Sequence, residues 1–177
     1  MKVAIIGSGF FGLCIARMFE NRKELKSELS IFEAASKPFS GASFNNQCRV
    51  HQGFHYPRSA FTMHQSILGF NRFISEFSSA VNPVSENWYL IRDNGLVDAT
   101  QYLAVMDAFS LDYNVCESPP SYVKNQNQYQ LSILTKEYSI NLKNLRKILL
   151  DRIENKIKLQ KKIVEIDAHQ GFLYTVD

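Results

Sequence analysis

The sequence predicts an α/β fold that begins with a parallel sheet and a helix between its strands. Two observations favour it. The chain opens with a short apolar run, KVAII, which is followed directly by the glycine-rich turn GSGFFG. A strongly apolar helical stretch comes next, and a second short apolar run, LSIF, ends in Glu33. Strand, glycine-rich turn, helix and strand within about 33 residues match the size of a βαβ unit.

The composition is that of a globular chain. Its 177 residues, 45% of them apolar and 12% aromatic, are enough to bury one large core or two small ones. The formal net charge is only +3, and basic residues are scattered among acidic ones, so nothing favours a nucleic-acid partner. Cys14, Cys48 and Cys116 form no CxxC pair, which argues against a disulfide framework or a zinc knuckle and favours a reducing compartment.

The start of the chain shares one feature with targeting signals, because Lys2 is followed by apolar residues. Three interrupting glycines, the lack of a small-residue cleavage site and a charged continuation weigh against a signal peptide. No later apolar run approaches the roughly 20 residues that span a bilayer. The sequence therefore predicts a cytoplasmic protein with no membrane span.

The rest of the chain alternates between irregular and regular segments. Residues 34–59 are rich in glycine, proline and polar residues and fit no regular period, so we expect a long functional loop there. Beyond this loop, hydrophobic periodicity and turn signals predict further elements. These are a helix over 60–77, a strand over 88–91, a hairpin-type turn at 93–95, a helix over 98–109 capped near Asp98 or Thr100, strands over 129–134 and 138–140, a helix that begins after Asn141, and a hairpin formed by 156–167 and 172–176.

The three glycines and Glu33 form the pattern of a dinucleotide site. Gly7 permits a tight turn, Gly9 lets the backbone approach a pyrophosphate, and Gly12 allows close packing of helix on strand. The helix N terminus offers N–H groups to the phosphates. Glu33 can accept hydrogen bonds from ribose hydroxyls and would repel the 2′-phosphate of NADP. The glycines alone are also compatible with a strand-to-helix turn that binds nothing, and the fingerprint does not separate NAD from FAD.

A resemblance to a known family separates them. The run GSGFFG, the following IFEA and the segment SGASFNNQCRVHQGFHYPRS resemble the amino-terminal part of the FAD-dependent oxidoreductases of the D-amino-acid oxidase and glycine oxidase superfamily. The pattern His51-x-Gly53-x-x-Tyr56 resembles the branch that includes the 2-hydroxyglutarate dehydrogenases. The resemblance implies a Rossmann-like FAD-binding domain with a parallel sheet and part of an antiparallel α+β substrate domain. Residues 1–82 would be the first segment of the FAD-binding domain, 83–140 the partial substrate domain and 141–177 a return segment.

The same resemblance implies FAD as the cofactor and assigns site residues. The predicted cofactor-binding residues are Gly7, Ser8, Gly9, Phe10, Phe11, Gly12, Glu33, Ala34, Gly41, Ala42, Ser43, Asn45, Asn46 and Ile163. The predicted catalytic residues are Arg49, His51, His55 and Tyr56.

The chemistry of the loop supports roles for these catalytic candidates. Arg49 can pair with a substrate carboxylate or with negative charge on the reduced flavin. His51 can act as a base for a substrate hydroxyl, and the alternative is a histidine that is hydrogen-bonded within a crowded loop. The spacing of His51 and His55 would suit a metal on a helix, but Gly53 and Pro57 oppose a helix, so no metal site is predicted. Covalent attachment of a flavin at Cys48 has no support in the sequence.

The predicted activity is that of an FAD-dependent oxidoreductase acting on CH–OH or CH–NH₂ of a small, carboxylate-bearing substrate. Chains of this family are considerably longer, and their carboxy-terminal part has no counterpart here. We therefore expect a truncated product, a fragment, or a chain that a second polypeptide completes. The alternatives are a non-catalytic FAD- or ADP-binding fragment or partner subunit and, less favoured, an NAD-dependent dehydrogenase.

Overall fold

The computed structural model describes residues 2–22, 28–167 and 169–176, which form two compact units. One unit combines residues 1–47 with 142–177, and the other comprises residues 48–141. In chain order the elements are β1 (Lys2–Ile6), α1 (Phe10–Asn21), β2 (Glu28–Phe32), β3 (Arg49–Val50), α2 (Ala60–Glu76), β4 (Val81–Pro83), β5 (Asn87–Arg92), α3 (Ala99–Ala108), β6 (Tyr113–Cys116), β7 (Tyr129–Thr135), β8 (Tyr138–Ile140), α4 (Leu142–Leu150), β9 (Ile157–Lys158), β10 (Lys162–Asp167) and β11 (Phe172–Val176).

The first unit is built on the predicted parallel sheet. β2 lies between β1 and β9, and both neighbours run parallel to it. α1 connects β1 to β2 and buries Leu13 and Ala16 completely. Its Arg17 donates to the carbonyl of Ile148 in α4, against which α1 packs. The predicted strand, glycine turn, helix and strand are therefore confirmed.

The hairpin near the end of the described chain forms, but its first strand is shorter than predicted. β10 and β11 pair antiparallel, from Lys162 opposite Val176 to Asp167 opposite Phe172. Ile157 and Lys158, which we expected in the same strand as β10, instead form β9 and extend the parallel sheet. The chain turns between β9 and β10 at a residue with a φ of 56°, Gln160. No glycine or proline marks that turn, so the sequence pattern runs through it without a break.

The second unit contains two antiparallel three-stranded sheets and two helices. The sheets have the orders β5-β7-β6 and β3-β8-β4. Its core is formed by buried residues of the first sheet, of α2 and α3, and of the loops beside them, namely Phe54, Met63, Tyr89, Tyr102, Met106, Leu111, Leu131 and Ile133. No helix among the described residues is long and apolar enough to cross a membrane.

Three short strands in this unit, β3, β4 and β6, lie outside the prediction. β3 and β4 pair with a strand distant in sequence, as in the pairing of Arg49 with Ser139, and β6 pairs with the next strand, β7. The predicted turn at residues 93–95 forms, but it does not close a hairpin. It leads into α3, and β5 pairs with β7 instead. Strands of two to four residues carry little local pattern, and their long-range partners define them.

The second compact unit begins at residue 48, whereas the sequence predicts a domain boundary at residue 82. Because β3 pairs with β8, and Met63 of α2 lies in the core of the second unit, residues 48–82 group with residues 83–141. The assignment of a FAD-binding and a substrate domain to particular ranges stays a prediction.

A complete capping box begins α3. The Asp98 carboxylate accepts from the Gln101 N–H at 2.8 Å, and the Gln101 side chain accepts from the Asp98 N–H at 3.4 Å. The structure thus selects Asp98 over Thr100 as the cap. We expect Asp98→Ala to lower the free energy of unfolding by about 1 kcal/mol and Thr100→Ala to leave it nearly unchanged. Urea unfolding followed by circular dichroism measures both, and equal losses would contradict the capping role.

Candidate functional site

The glycine-rich turn between β1 and α1 needs glycine at two positions for geometric reasons. Gly7 has a φ of 93°, a conformation that side chains rarely adopt. A Cβ on Gly12 would lie 2.0 Å from the carbonyl oxygen of Gly7, far inside contact distance. The N–H of Gly7 donates to the carbonyl of Phe32 at 2.8 Å. The turn therefore links the start of α1 to the end of β2, where Glu33 follows.

Glu33 is held in place by this turn. Its Oε2 accepts hydrogen bonds from the N–H and the hydroxyl of Ser8 at 2.8 and 2.7 Å, and its Oε1 accepts from the N–H of Ala35 at 2.8 Å. Burial alone would raise the pKa of Glu33, but the hydrogen bonds from Ala35, Ser8 and Ala34 outweigh it and lower the pKa below its ordinary value. Glu33 is therefore an anion at neutral pH. Ser8, which is fully buried, supports Glu33 with both of its donors.

The loop after β2 returns to the N terminus of α1. The hydroxyl oxygen of Ser43 accepts from the N–H of Phe10 at 2.9 Å, and a Cβ on Gly9 would lie 3.1 Å from the same oxygen. The side-chain amides of Asn45 and Asn46 donate to carbonyls of residues 40–43 and hold the loop in shape. Since a hydroxyl both accepts and donates, Ser43 can offer its own proton to an anion at this helix end.

The other predicted cofactor residues lie in more open surroundings. Phe11 is 79% exposed, and Ala34, Gly41 and Ala42 are exposed as well. Ile163 lies in β10 opposite Thr175, next to an irregularity in the pairing. The structure thus brings together residues 7–12, Glu33 and Ser43, and the contribution of the others to binding stays a prediction.

A second cluster of polar residues, in residues 48–141, is organised by the buried carboxylate of Glu137. Glu137 is only 2% exposed. Its Oε1 accepts from the N–H of Gln52 at 2.8 Å, and its Oε2 accepts from the Tyr89 hydroxyl at 3.0 Å and the Asn87 amide at 3.1 Å. Burial alone would raise the pKa of Glu137, but the contacts with His51, Gln52 and Tyr89 outweigh burial and lower it. The cluster therefore holds a buried anion.

Of the two predicted catalytic histidines, His51 faces this anion and His55 packs against His51. Nδ1 of His51 lies 3.6 Å from Oε2 of Glu137, and the side chain of His51 is 23% exposed. The ring of His55 lies 4.3 Å from that of His51 and 4.9 Å from that of Tyr89. Partial burial lowers the pKa of His55, the neighbouring His51 and Arg49 lower it further, and Glu137 opposes them. His55 is therefore a neutral imidazole at pH 7.

A tight turn at Gly53 places the two histidines side by side. Gly53 has a φ of 116°, and a Cβ there would lie 3.1 Å from Cγ of Met63. The N–H of Tyr56 donates to the carbonyl of Gly53 at 2.9 Å and closes the turn. The two imidazoles therefore meet across a turn and not on one face of a helix. Among the described residues, no group of three or more His, Cys, Asp or Glu is placed to hold a metal.

The two remaining catalytic candidates lie on either side of the histidine pair in sequence. Arg49 lies in β3, exposed, and Tyr56 is 38% exposed with its ring 6.3 Å from that of His55. Glu137, which stands in the short link between β7 and β8, lies outside the predicted site, and so do its partners Asn87 and Tyr89. A lone acid in a link between two apolar strands is usually a solvated turn residue, so no local signal distinguishes Glu137.

The lowered pKa of His55 predicts a pH dependence of stability. The unfolded chain binds a proton at this residue near pH 6.5, and the folded chain binds it only at lower pH, so stability falls as the pH drops through that interval. We expect His55→Gln to remove part of this fall. Histidine NMR titration checks the shift directly, and a His55 midpoint above 6.5 would contradict it.

Two solved structures of oxidases are similar in fold to this chain. L-α-glycerophosphate oxidase from Mycoplasma pneumoniae, dithionite-reduced and with FAD bound, matches with a TM-score of 0.69 and 16% identity over 98% of this chain and 49% of that one. NikD, an unusual amino acid oxidase essential for nikkomycin biosynthesis, matches in its open form with a TM-score of 0.66 and 12% identity over 97% of this chain and 48% of that one. The predicted resemblance to FAD-dependent oxidoreductases is thereby confirmed at the level of the fold.

A protein that is similar in sequence to this chain is an FAD-dependent monooxygenase. The FAD-dependent monooxygenase FPY4 of Fusarium mangiferae is 35% identical over 106 residues, which is 59% of this chain and 28% of that protein. No family model matches the chain. The chain spans about half the length of the matched oxidases, and its matched residues cover 28% of this relative.

Proposed function

We propose that residues 1–47 bind the ADP part of FAD and that the chain is part of an oxidoreductase acting on CH–OH or CH–NH₂ of a small, carboxylate-bearing molecule. The observation that carries the proposal is the glycine turn that fixes an anionic Glu33 beside the N terminus of α1. The FAD bound in the matched glycerophosphate oxidase and the FAD-dependent monooxygenase named as a relative support the choice of cofactor.

The residues of the turn suit the chemistry of ADP. Gly9 and Phe10 would receive the pyrophosphate at the start of α1, where helix N–H groups and the positive end of the dipole favour an anion. The Ser43 hydroxyl would add a donor there. Glu33 would accept from the ribose hydroxyls through Oε1, the oxygen to which Ser8 does not donate.

The second unit offers groups suited to the substrate. The flavin, when bound, would supply the two-electron oxidation. His51 is the proposed base for the substrate hydroxyl or amine, and Arg49 the proposed partner of its carboxylate. His55 contributes a second, neutral imidazole beside His51, and Tyr56 an exposed hydroxyl next to His55.

A second candidate function is a non-catalytic FAD- or ADP-binding fragment or partner subunit. The observation that supports it is the site around Glu33, which suits ADP and requires no catalytic group. The two candidates share the ADP site and differ in whether substrate reduces the bound flavin.

Isothermal titration calorimetry of the 177-residue chain tests the ADP site, which both candidate functions share. We expect FAD and ADP to bind, and 2′-phosphorylated ADP to bind at least tenfold more weakly, because its phosphate would face the Glu33 carboxylate; tenfold corresponds to about 1.4 kcal/mol. Glu33→Gln should narrow this difference, and Glu28→Gln, a change at an exposed position at the start of β2, should not. Failure of both FAD and ADP to bind would overturn the proposal.

Anaerobic mixing of the FAD-loaded chain with a panel of 2-hydroxy acids and amino acids separates the two candidates. Bleaching of the flavin absorbance by a substrate supports the oxidoreductase. Tight FAD binding without bleaching by any member of the panel supports the non-catalytic subunit.

A further inference from the structure

We infer that Glu137 is a positioning residue, whose buried carboxylate holds the His51 imidazole with its proton on Nδ1 and leaves Nε2 as the nitrogen that accepts a proton. That Nε2 accepts a proton from a substrate rests on the proposed function. The position of the proton on His51 does not, since it is a property of this chain alone.

The surroundings of Nδ1 determine that the imidazole donates and the carboxylate accepts in this contact. Nδ1 of His51 is buried, lies 3.6 Å from Oε2 of Glu137 and has no hydrogen-bond partner among the described residues. An ionised carboxylate can only accept hydrogen bonds. A bare Nδ1 would set its lone pair against a negative charge where water cannot intervene, so the favourable form carries the proton on Nδ1. This distance is slightly longer than a hydrogen bond.

The carboxylate itself cannot rotate away from His51. Its Oε1 is held by the N–H of Gln52, the residue next to His51 in the chain, and its Oε2 by the Tyr89 hydroxyl and the Asn87 amide. One carboxylate thus anchors the backbone beside His51 with one oxygen and faces the imidazole with the other. The pairing of Val50 with Tyr138 fixes the two chain segments against each other.

This arrangement gives each group in the proton transfer a defined role. In the proposed reaction the O–H or N–H bond of the substrate breaks, its electron pair stays on the substrate, and a new N–H bond forms at Nε2 of His51. The imidazole then carries a positive charge, which the adjacent Glu137 carboxylate offsets without taking up the proton itself. Glu137 therefore acts through His51 and does not touch the substrate.

A purely structural role for Glu137 makes a different prediction. If the carboxylate only joined the link between β7 and β8 to β5 through Asn87 and Tyr89, the structure would be compatible with either neutral form of His51. The position of the proton on His51 therefore separates the two roles, and stability does not.

Long-range ¹H–¹⁵N spectra of the ¹⁵N-histidine-labelled chain measure this position directly. At about pH 8.5, well above the ordinary histidine pKa, we expect His51 to show a protonated Nδ1 and a bare Nε2. The signals are assigned with His51→Gln. In Glu137→Met no acceptor faces Nδ1, so the preference for a proton there is lost and we expect a fraction of His51 to carry its proton on Nε2. Tyr89→Phe is the matched control, because it removes one hydrogen bond to the same Oε2 but keeps the carboxylate, and the proton should stay on Nδ1.

A wild-type chain with the proton on Nε2 overturns the inference, and so does a folded Glu137→Met in which the proton stays wholly on Nδ1. If Glu137→Met does not fold, the spectra of the wild type and of Tyr89→Phe decide. The assignment of His51 as the base is tested separately, by flavin reduction in the FAD-loaded His51→Gln variant. If this variant is reduced as fast as the wild type, the base assignment fails while the contact of Glu137 with Nδ1 stands.

Discussion

Replacing Gly12 with alanine is expected to destabilise the chain by about 3 kcal/mol and to abolish nucleotide binding. The added Cβ would lie 2.0 Å from the carbonyl oxygen of Gly7 and 3.2 Å from its carbonyl carbon. Both are backbone atoms, so no side chain can swing aside, and either the turn or the whole of α1 has to move. Urea unfolding measures the loss of stability, and titration with ADP measures the loss of binding.

The matched control for this change is Gly69→Ala in α2. A Cβ at Gly69 meets nothing within 4 Å, and alanine favours a helix more than glycine does, so we expect a gain of about 0.5–1 kcal/mol. A Gly12→Ala chain that keeps wild-type stability and still binds ADP would show that the turn does not depend on this close approach.

Replacing Glu137 with methionine is expected to lower the free energy of unfolding by about 3 kcal/mol. The change keeps the length of the side chain but leaves the Gln52 N–H, the Tyr89 hydroxyl and the Asn87 amide without their acceptor in a buried place, and each such group costs roughly 1–3 kcal/mol when it finds no other partner. The single tryptophan of the chain, Trp88, stands between Asn87 and Tyr89 in β5 and reports unfolding by fluorescence.

The control here is Tyr89→Phe, which removes one donor and leaves the carboxylate in place. Its expected cost is about 1.5 kcal/mol, the lower end for a hydrogen bond to a charged group. If Glu137→Met were as stable as the wild type or more stable, the cost of burying the charge would exceed the stabilisation from its hydrogen bonds, as happens for some buried ion pairs.

The part of the fold nearest the start of the chain could be predicted because its signals are local. The requirement for glycine at residues 7 and 12, the apolar run before them and the acid after the second strand all lie within 33 residues. The structure adds what no local pattern contains, namely that Ser8 holds Glu33 and that Ser43 reaches the start of α1 from a loop more than 30 residues away.

The second cluster could be predicted only in part. The pattern His51-x-Gly53-x-x-Tyr56 drew attention to the histidines, and the turn at Gly53 is a local feature. The carboxylate that faces them comes from Glu137, 85 residues beyond Gln52, and reaches them through the pairing of β3 with β8. A strand of two residues has no periodicity to read, so neither β3 nor its consequence for Glu137 was accessible from the sequence.

A titration of the ¹⁵N-labelled 177-residue chain with ADP, followed through its backbone amide signals, shows whether the glycine turn binds a nucleotide. We predict saturable shifts at residues 7–12, at Glu33 and its neighbours and at Ser43, and the loss of these shifts in Gly12→Ala. Amide signals of these residues that stay unchanged while ADP is raised to millimolar concentration would contradict nucleotide binding at this turn.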